Sequence, residues 1–173
     1  MELRTCCFTG HRPKYLPWGE DEKGELFDSF KEKLKYQIEL AVLCGYTHFI
    51  CGMAEGIDLL CGELVVELRK SYPYITLEAA IPWPNQASNF SNRNKSRYLG
   101  LRCCAKKVTV LCNHYRKEVF QIRNQYMIDN SSLLIAVCQD MKSGAGQTIR
   151  MAQKKGVEII RVELANNVCA VGN

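Results

Sequence analysis

Three glycine-punctuated turns carry most of the residues in this chain that could do chemistry. They are Thr9-Gly10-His11-Arg12-Pro13, Gly52-Met53-Ala54-Glu55-Gly56-Ile57-Asp58 and Ser143-Gly144-Ala145-Gly146-Gln147-Thr148. The first combines a hydroxyl, an imidazole and a guanidinium, and Arg12 can grip a phosphate or carboxylate with two parallel hydrogen bonds. In the second, two glycines let the backbone take positive φ and admit a ligand to the main chain. A helix start follows that offers unpaired N–H groups and a partial positive charge to an anion. The third is a Gly-rich helix entry with hydroxyls at both ends, suited to phosphate. No Lys follows Gly146, so it is not a Walker loop, and no third glycine completes a dinucleotide fingerprint. The chain has no G-x-S-x-G elbow, which argues against a serine hydrolase.

Each turn stands where a β-prone run meets a helical pattern. Leu3 to Phe8, Thr47 to Cys51, Ile75 to Ile81, Lys107 to Cys112, Leu133 to Cys138 and Val157 to Val162 read as strands. Between them, helical spacing predicts helices over about 21–44, 57–70, 85–103, 116–130 and 144–155. This alternation implies a single α/β domain with an open, mostly parallel sheet and helices on both faces. The domain is expected over residues 1–164, with a loose tail at 165–173. In such sheets ligands bind beyond the carboxyl ends of the strands, near the switch in strand order. The three turns, Pro82–Gln86 and Asn113–Tyr115 all fall at those ends, whereas the opposite loops are plain turns at Gly45 and Gly156.

The chain has 173 residues with ten cysteines and a net charge of +5. No two cysteines form a C-x-x-C pair and most lie in apolar runs, so buried or unpaired thiols in a reducing compartment are expected. No apolar run reaches membrane-spanning length and no signal peptide precedes the first strand, so a cytoplasmic protein is expected. His11, His48 and His114 are scattered, and neither a metal site nor a cofactor is expected. Between Asn85 and Lys117 there is no Asp or Glu, while Arg93, Lys95, Arg97, Arg102, Lys106, Lys107, Arg116 and Lys117 supply eight positive charges. Such a segment favours phosphates of a small ligand or a nucleic-acid backbone, or is a solvated basic face.

Phe8-Thr9-Gly10-His11-Arg12-Pro13, Gly52 to Asp58, Ile81-Pro82-Trp83 with Gln86, Arg123-Asn124 with Met127 and Asp129, and Ser143 to Thr148 occur in an order that resembles the SLOG superfamily. That superfamily groups the DNA-processing protein DprA with LOG-type phosphoribohydrolases, and the closer resemblance is to its bacterial YpsA-like branch. The resemblance implies a Rossmann-like fold and a ligand-binding or sensor module for a phosphorylated nucleotide or nucleotide derivative. Carried onto this chain, the ligand-binding candidates are Thr9, Gly10, His11, Arg12, Gly52, Met53, Ala54, Gly56, Asp58, Pro82, Trp83, Arg123, Asn124, Ser143, Gly144, Gly146 and Thr148. LOG enzymes follow their Gly-rich loop with paired glutamates, where this chain has Ile149-Arg150.

Three functions are therefore expected in descending order. The first is binding of a small nucleotide-derived ligand. The second is hydrolysis of an N-glycosidic or phosphoester bond in such a ligand, with Asp58 or His11 as the acid–base group. The third is DprA-like nucleic-acid binding through the basic stretch. Membrane partners are not expected, and self-association into a homo-oligomer is left open.

Overall fold

The sheet is wound outward from its middle. Six strands, β1 (Arg4–Gly10), β2 (Tyr46–Cys51), β3 (Thr76–Ile81), β4 (Lys107–Val110), β5 (Leu133–Val137) and β6 (Glu158–Arg161), pair in the order β4-β3-β2-β1-β5-β6. Every pairing is parallel. The computed structural model describes residues 4–164, so the tail expected from residue 165 lies outside the described residues. Strands one to four step to one side. The chain then crosses to the other side of β1 for β5 and β6, and the crevice at this reversal opens between the carboxyl ends of β1 and β5.

Helices α1 (Glu25–Leu43), α2 (Ile57–Leu68) and α3 (Asn92–Cys104) cover one face. Their apolar stripes meet Cys6, Phe8, Phe49, Cys51, Leu77 and Ile135, and Phe8 stacks on Phe49 at 6.0 Å between ring centroids. Helices α4 (Val119–Asp129) and α5 (Gly144–Lys155) cover the other face through Met127, Ile128, Ile149 and Ala152 against Cys7, Ile50, Leu134 and Ala136. Alternate residues of the interior strands thus serve opposite cores, while the edge strand β4 belongs to neither. β5 is buried at all five positions, as a central parallel strand must be. The result is one Rossmann-like α/β domain.

Three helices start later than their periodicity predicts. Glu22 at φ 48° and Gly24 at φ 94° keep the chain non-helical until Glu25. Ser91 accepts the Asn94 N–H at 3.2 Å and caps α3, which leaves residues 85–90 as a loop that lays Phe90 edge-on against Tyr98. α4 begins at Val119, not at Arg116. All described cysteines are free. Burial raises the thiols of Cys6, Cys51 and Cys61 and pushes that of Cys7 up to about 12, so these four behave as small hydrophobes.

Candidate ligand site

A cavity of about 350 Å³ occupies the crevice at the β1–β5 switch. Its wall is made by Thr9, Gly10, His11, Arg12, Lys14 and Tyr15 from the end of β1, Ala54 and Asp58 from the α2 entry, Phe120, Arg123, Asn124 and Met127 from α4, and Ser143, Gly144 and Ala145 from the α5 entry, with Phe8 beneath.

The β1 end and the α2 entry are fastened to each other. Gly56 takes φ 89°, ψ −127°, open in practice only to glycine, and a Cβ there would lie 2.5 Å from the His11 carbonyl oxygen. The next residue, Ile57, donates its N–H to that same carbonyl at 3.3 Å. Gly10 leaves no room for a Cβ against Ile57. At Gly52 a Cβ would come within 2.6 Å of the Arg123 guanidinium and 2.7 Å of the Asp58 carboxylate. These glycines let protein approach protein. Gly52, Met53 and Gly56 lie behind the cavity wall, not on it.

His11 ties the β1 loop to the β5 loop. It is buried, and its Nε2 accepts the Gln139 N–H at 2.9 Å. Burial lowers its pKa, against an upward pull from Asp140. The neutral ring therefore carries its proton on Nδ1, and Nε2 is already engaged.

Asp58 and Arg123 form the charged floor. Both are buried, with Asp58 Oδ2 4.0 Å from the guanidinium and accepting the Ala54 N–H at 3.3 Å. Arg123 also donates to the Gly52 carbonyl and, through Nε, to Asn124 Oδ1 at 2.7 Å. Burial raises the Asp58 carboxyl, opposed by Arg123 and Arg12. Burial lowers the Arg123 pKa, and Arg12 adds to that against the pull of Asp58. Two guanidiniums thus share one carboxylate. The Arg12 guanidinium has no hydrogen-bond partner among the described residues and rests 5.5 Å over the Phe120 ring.

At the α5 entry Ser143 is an N-cap: its Oγ accepts the Gly146 N–H at 3.2 Å and donates to the Asp140 carbonyl. Gly144 and Ala145 open the helix, so their N–H groups have no intrahelical acceptor. Gly146 is packed against the Met141 carbonyl, and Thr148 turns its hydroxyl back to the Gly144 carbonyl at 3.0 Å. Neither reaches the cavity. Pro82 and Trp83 stand outside it as well. Trp83 packs edge-on against Phe120 at 5.4 Å and Tyr115 at 5.2 Å, bracing the wall from behind.

The structure therefore brings together Thr9, Gly10, His11, Arg12, Ala54, Asp58, Arg123, Asn124, Ser143 and Gly144, and leaves Gly52, Met53, Gly56, Pro82, Trp83, Gly146 and Thr148 behind the wall. Sequence reasoning missed Phe120, although Phe120, Arg123, Asn124 and Met127 follow the i, i+3, i+4, i+7 spacing of one helical face. Among the described residues no group of three or more His, Cys, Asp or Glu is placed to hold a metal ion, and no helix is long and apolar enough to cross a membrane.

A family model matches residues 6–165. The chain belongs to the YspA SLOG family. It is 26% identical over 160 residues to a UPF0398 protein of Bacillus thuringiensis strain Al Hakam, covering 91% of this chain and 86% of that protein. A UPF0398 protein of Bacillus cereus strain AH187 matches at the same identity and coverage. Among solved structures, DNA processing protein A from Streptococcus pneumoniae superposes with TM-score 0.61 at 14% identity, over 92% of this chain and 50% of that one. The Helicobacter pylori protein of that name, described for its single-stranded DNA binding mode, gives TM-score 0.60 at 16% identity over 91% and 64%. This SLOG chain thus shares the fold of DprA but spans only half to two thirds of those DprA chains.

Three of the eight basic residues of the 85–117 stretch, Arg93, Arg97 and Lys107, are paired within the fold. Arg93 donates to the Glu20 carbonyl at 2.6 Å and pairs with Glu22. Arg97 grips Glu63 through two bonds of 2.7 and 2.8 Å and also meets Glu22, and Lys107 pairs with Glu78 at 3.2 Å. Arg123 faces Asp58, while Asp129 pairs with Lys155 at 3.1 Å.

Proposed function

We propose that this SLOG domain binds a phosphorylated nucleotide derivative in the β1–β5 cavity. The observation that carries the reading is the charge balance of a largely buried site: two guanidiniums, Arg12 and Arg123, share the single carboxylate of Asp58. A second anion restores that balance. Arg12 and the α5 N–H groups of Gly144 and Ala145 would receive the phosphate, and Thr9 adds a hydroxyl. Phe120, braced by Trp83, offers a flat apolar wall to a base or sugar. Asp58 Oδ1, which has no partner among the described residues, would accept from a ribose hydroxyl. The cavity volume of about 350 Å³ falls within the range of small-molecule sites.

Hydrolysis of the ligand is the weaker reading, because Asp58 is tied to Arg123 and Ala54, and His11 Nε2 is held by Gln139. Nucleic-acid binding draws support from the fold shared with DprA. It would use the unpaired part of the basic stretch, since Arg93, Arg97 and Lys107 are engaged inside the fold.

Thermal unfolding with AMP, ADP and ADP-ribose tests the main reading. A ligand at 100 times its Kd stabilises the protein by about 2.7 kcal/mol. The absence of any shift at millimolar concentration of every compound would remove the reading. Release of free base or phosphate over hours, lost in Asp58→Asn, would promote the hydrolase instead.

A further inference from the structure

Asn124 is about nine-tenths buried, lines the cavity, and has only one of its two amide edges occupied by the protein. Arg123 donates from Nε to Asn124 Oδ1 at 2.7 Å. An arginine nitrogen can only donate, so the oxygen of the amide must face it, and this contact fixes which way the side chain is turned. The Nδ2 edge is left without a partner among the described residues.

We infer that Asn124 is a specificity-determining donor whose Nδ2 reads a phosphate oxygen of the ligand, with Arg123 setting its orientation. The inference rests on the reading of the cavity as a nucleotide-derivative site. Both Nδ2 hydrogens require an acceptor, so the amide selects an acceptor over a donor. The field it stands in is positive, with Arg123 bonded to it and Arg12 on the same cavity wall, which favours an anionic oxygen over a neutral one. Asp58 is the one carboxylate among the lining residues; its Oδ2 is engaged by Arg123 and the Ala54 N–H, and no hydrogen bond joins either of its oxygens to Asn124 Nδ2. Arg123 on this account has two tasks: it neutralises Asp58 and it aims Asn124.

Asn124→Asp separates this role from a purely structural one. The carboxylate keeps an acceptor for Arg123 Nε, so the contact that holds the helix residue in place survives and the melting temperature should be unchanged or higher. The second edge, however, turns from donor to anionic acceptor. With AMP and ADP-ribose as probes in calorimetric titrations, the variant should bind about a hundredfold more weakly than wild type, reflecting a lost hydrogen bond to a charged group and added repulsion. A folded variant with wild-type affinity for both probes would overturn the inference, leaving Asn124 as a prop for Arg123, while the cavity reading would stand. If wild type itself binds neither probe, the cavity reading falls and takes this inference with it. Should the Asp variant fail to fold, Asn124→Ala decides: a loss of about tenfold is expected, and an unchanged Kd overturns the proposal.

Discussion

Two carboxylates are buried beside this sheet, and they differ in how completely the protein satisfies them. Glu78 of β3 receives His48 Nε2 at 2.8 Å, Tyr126 OH at 2.6 Å, Thr109 Oγ1 at 2.7 Å and Lys107 Nζ at 3.2 Å. Its donors come from β2, β4 and α4, and none of these residues lines the β1–β5 cavity. Burial alone would raise this carboxyl, but the His48, Tyr126, Thr109 and Lys107 bonds overcome it and hold the pKa at about 2. Asp58 has the ion pair and one backbone N–H, keeps an unpartnered oxygen, and has its pKa raised. Burial of charge by itself does not mark a site. What separates the two is unmet hydrogen-bonding capacity beside open volume: Asp58, Asn124, Thr9 and Arg12 all line the cavity, and Asp58 Oδ1, Asn124 Nδ2, the Thr9 hydroxyl and the Arg12 guanidinium have no hydrogen-bond partner among the described residues. Glu78 is satisfied within the architecture, and Asp58 is left with capacity that the proposed ligand would use.

The largest test of that division is Glu78→Gln. An amide that meets several donors leaves buried groups unpaired, and removing one side of a buried charge network costs about 3–5 kcal/mol. Urea melts should show this loss, while the thermal shift given by a nucleotide stays as in wild type. A cost under about 1 kcal/mol would erase the contrast. The pH dependence follows in sign. With the folded pKa near 2 and the ordinary value 4.5, the Glu78 contribution is fully present above pH 4.5. It fades as the pH falls toward 2, because the unfolded chain takes up the proton first. The Gln variant should lack that acid slope.

Gly56→Ala comes next. The residue sits at φ 89°, and a methyl group would press on the His11 carbonyl. A loss of about 1–3 kcal/mol is expected from the strained backbone and the clash. Ligand affinity of the fraction that folds should change little, since Gly56 does not line the cavity. A variant of normal stability that binds poorly would reverse the assignment and put the ligand against this backbone.

The same contrast explains what the sequence disclosed. The alternation of apolar runs and helical spacings was enough for the sheet, and Gly turns at strand ends were enough to place the cleft. The start of α1 was not legible, because a non-glycine residue, Glu22, adopts positive φ there. Within the turns, residue type could not separate groups that face a ligand from groups that face the protein. Gly52, Gly56 and Thr148 have the chemistry of a phosphate site, yet their space or hydroxyl is occupied by Arg123, the His11 carbonyl and the Gly144 carbonyl. Arg123 meets Asp58 across the fold, while Asp129 on the same helix pairs with Lys155. The identity of the partner is a three-dimensional fact, and it decides which polar atoms are left over.

The smallest effect on stability should accompany one of the largest on binding. Arg12 is half-exposed, its guanidinium makes no hydrogen bond within the described residues, and it has the Arg123 guanidinium as an unfavourable neighbour. Arg12→Gln therefore removes a repulsion from Arg123 and, of opposite sign, an attraction to Asp58 and a cation–π contact, and stability should move by no more than about 0.5 kcal/mol either way. The cavity would then hold Arg123 balanced by Asp58, with Lys14 at its exposed rim and the α5 N–H groups left to attract an anion. AMP or ADP-ribose should bind about tenfold to a hundredfold more weakly, as expected when a charge-assisted hydrogen bond is lost. The dependence of Kd on salt should also flatten, because one fewer cation meets the phosphate. If Arg12→Gln instead binds as well as wild type, the surplus charge is not what recruits the ligand. The division between a satisfied Glu78 and an unsatisfied Asp58 would then describe packing alone.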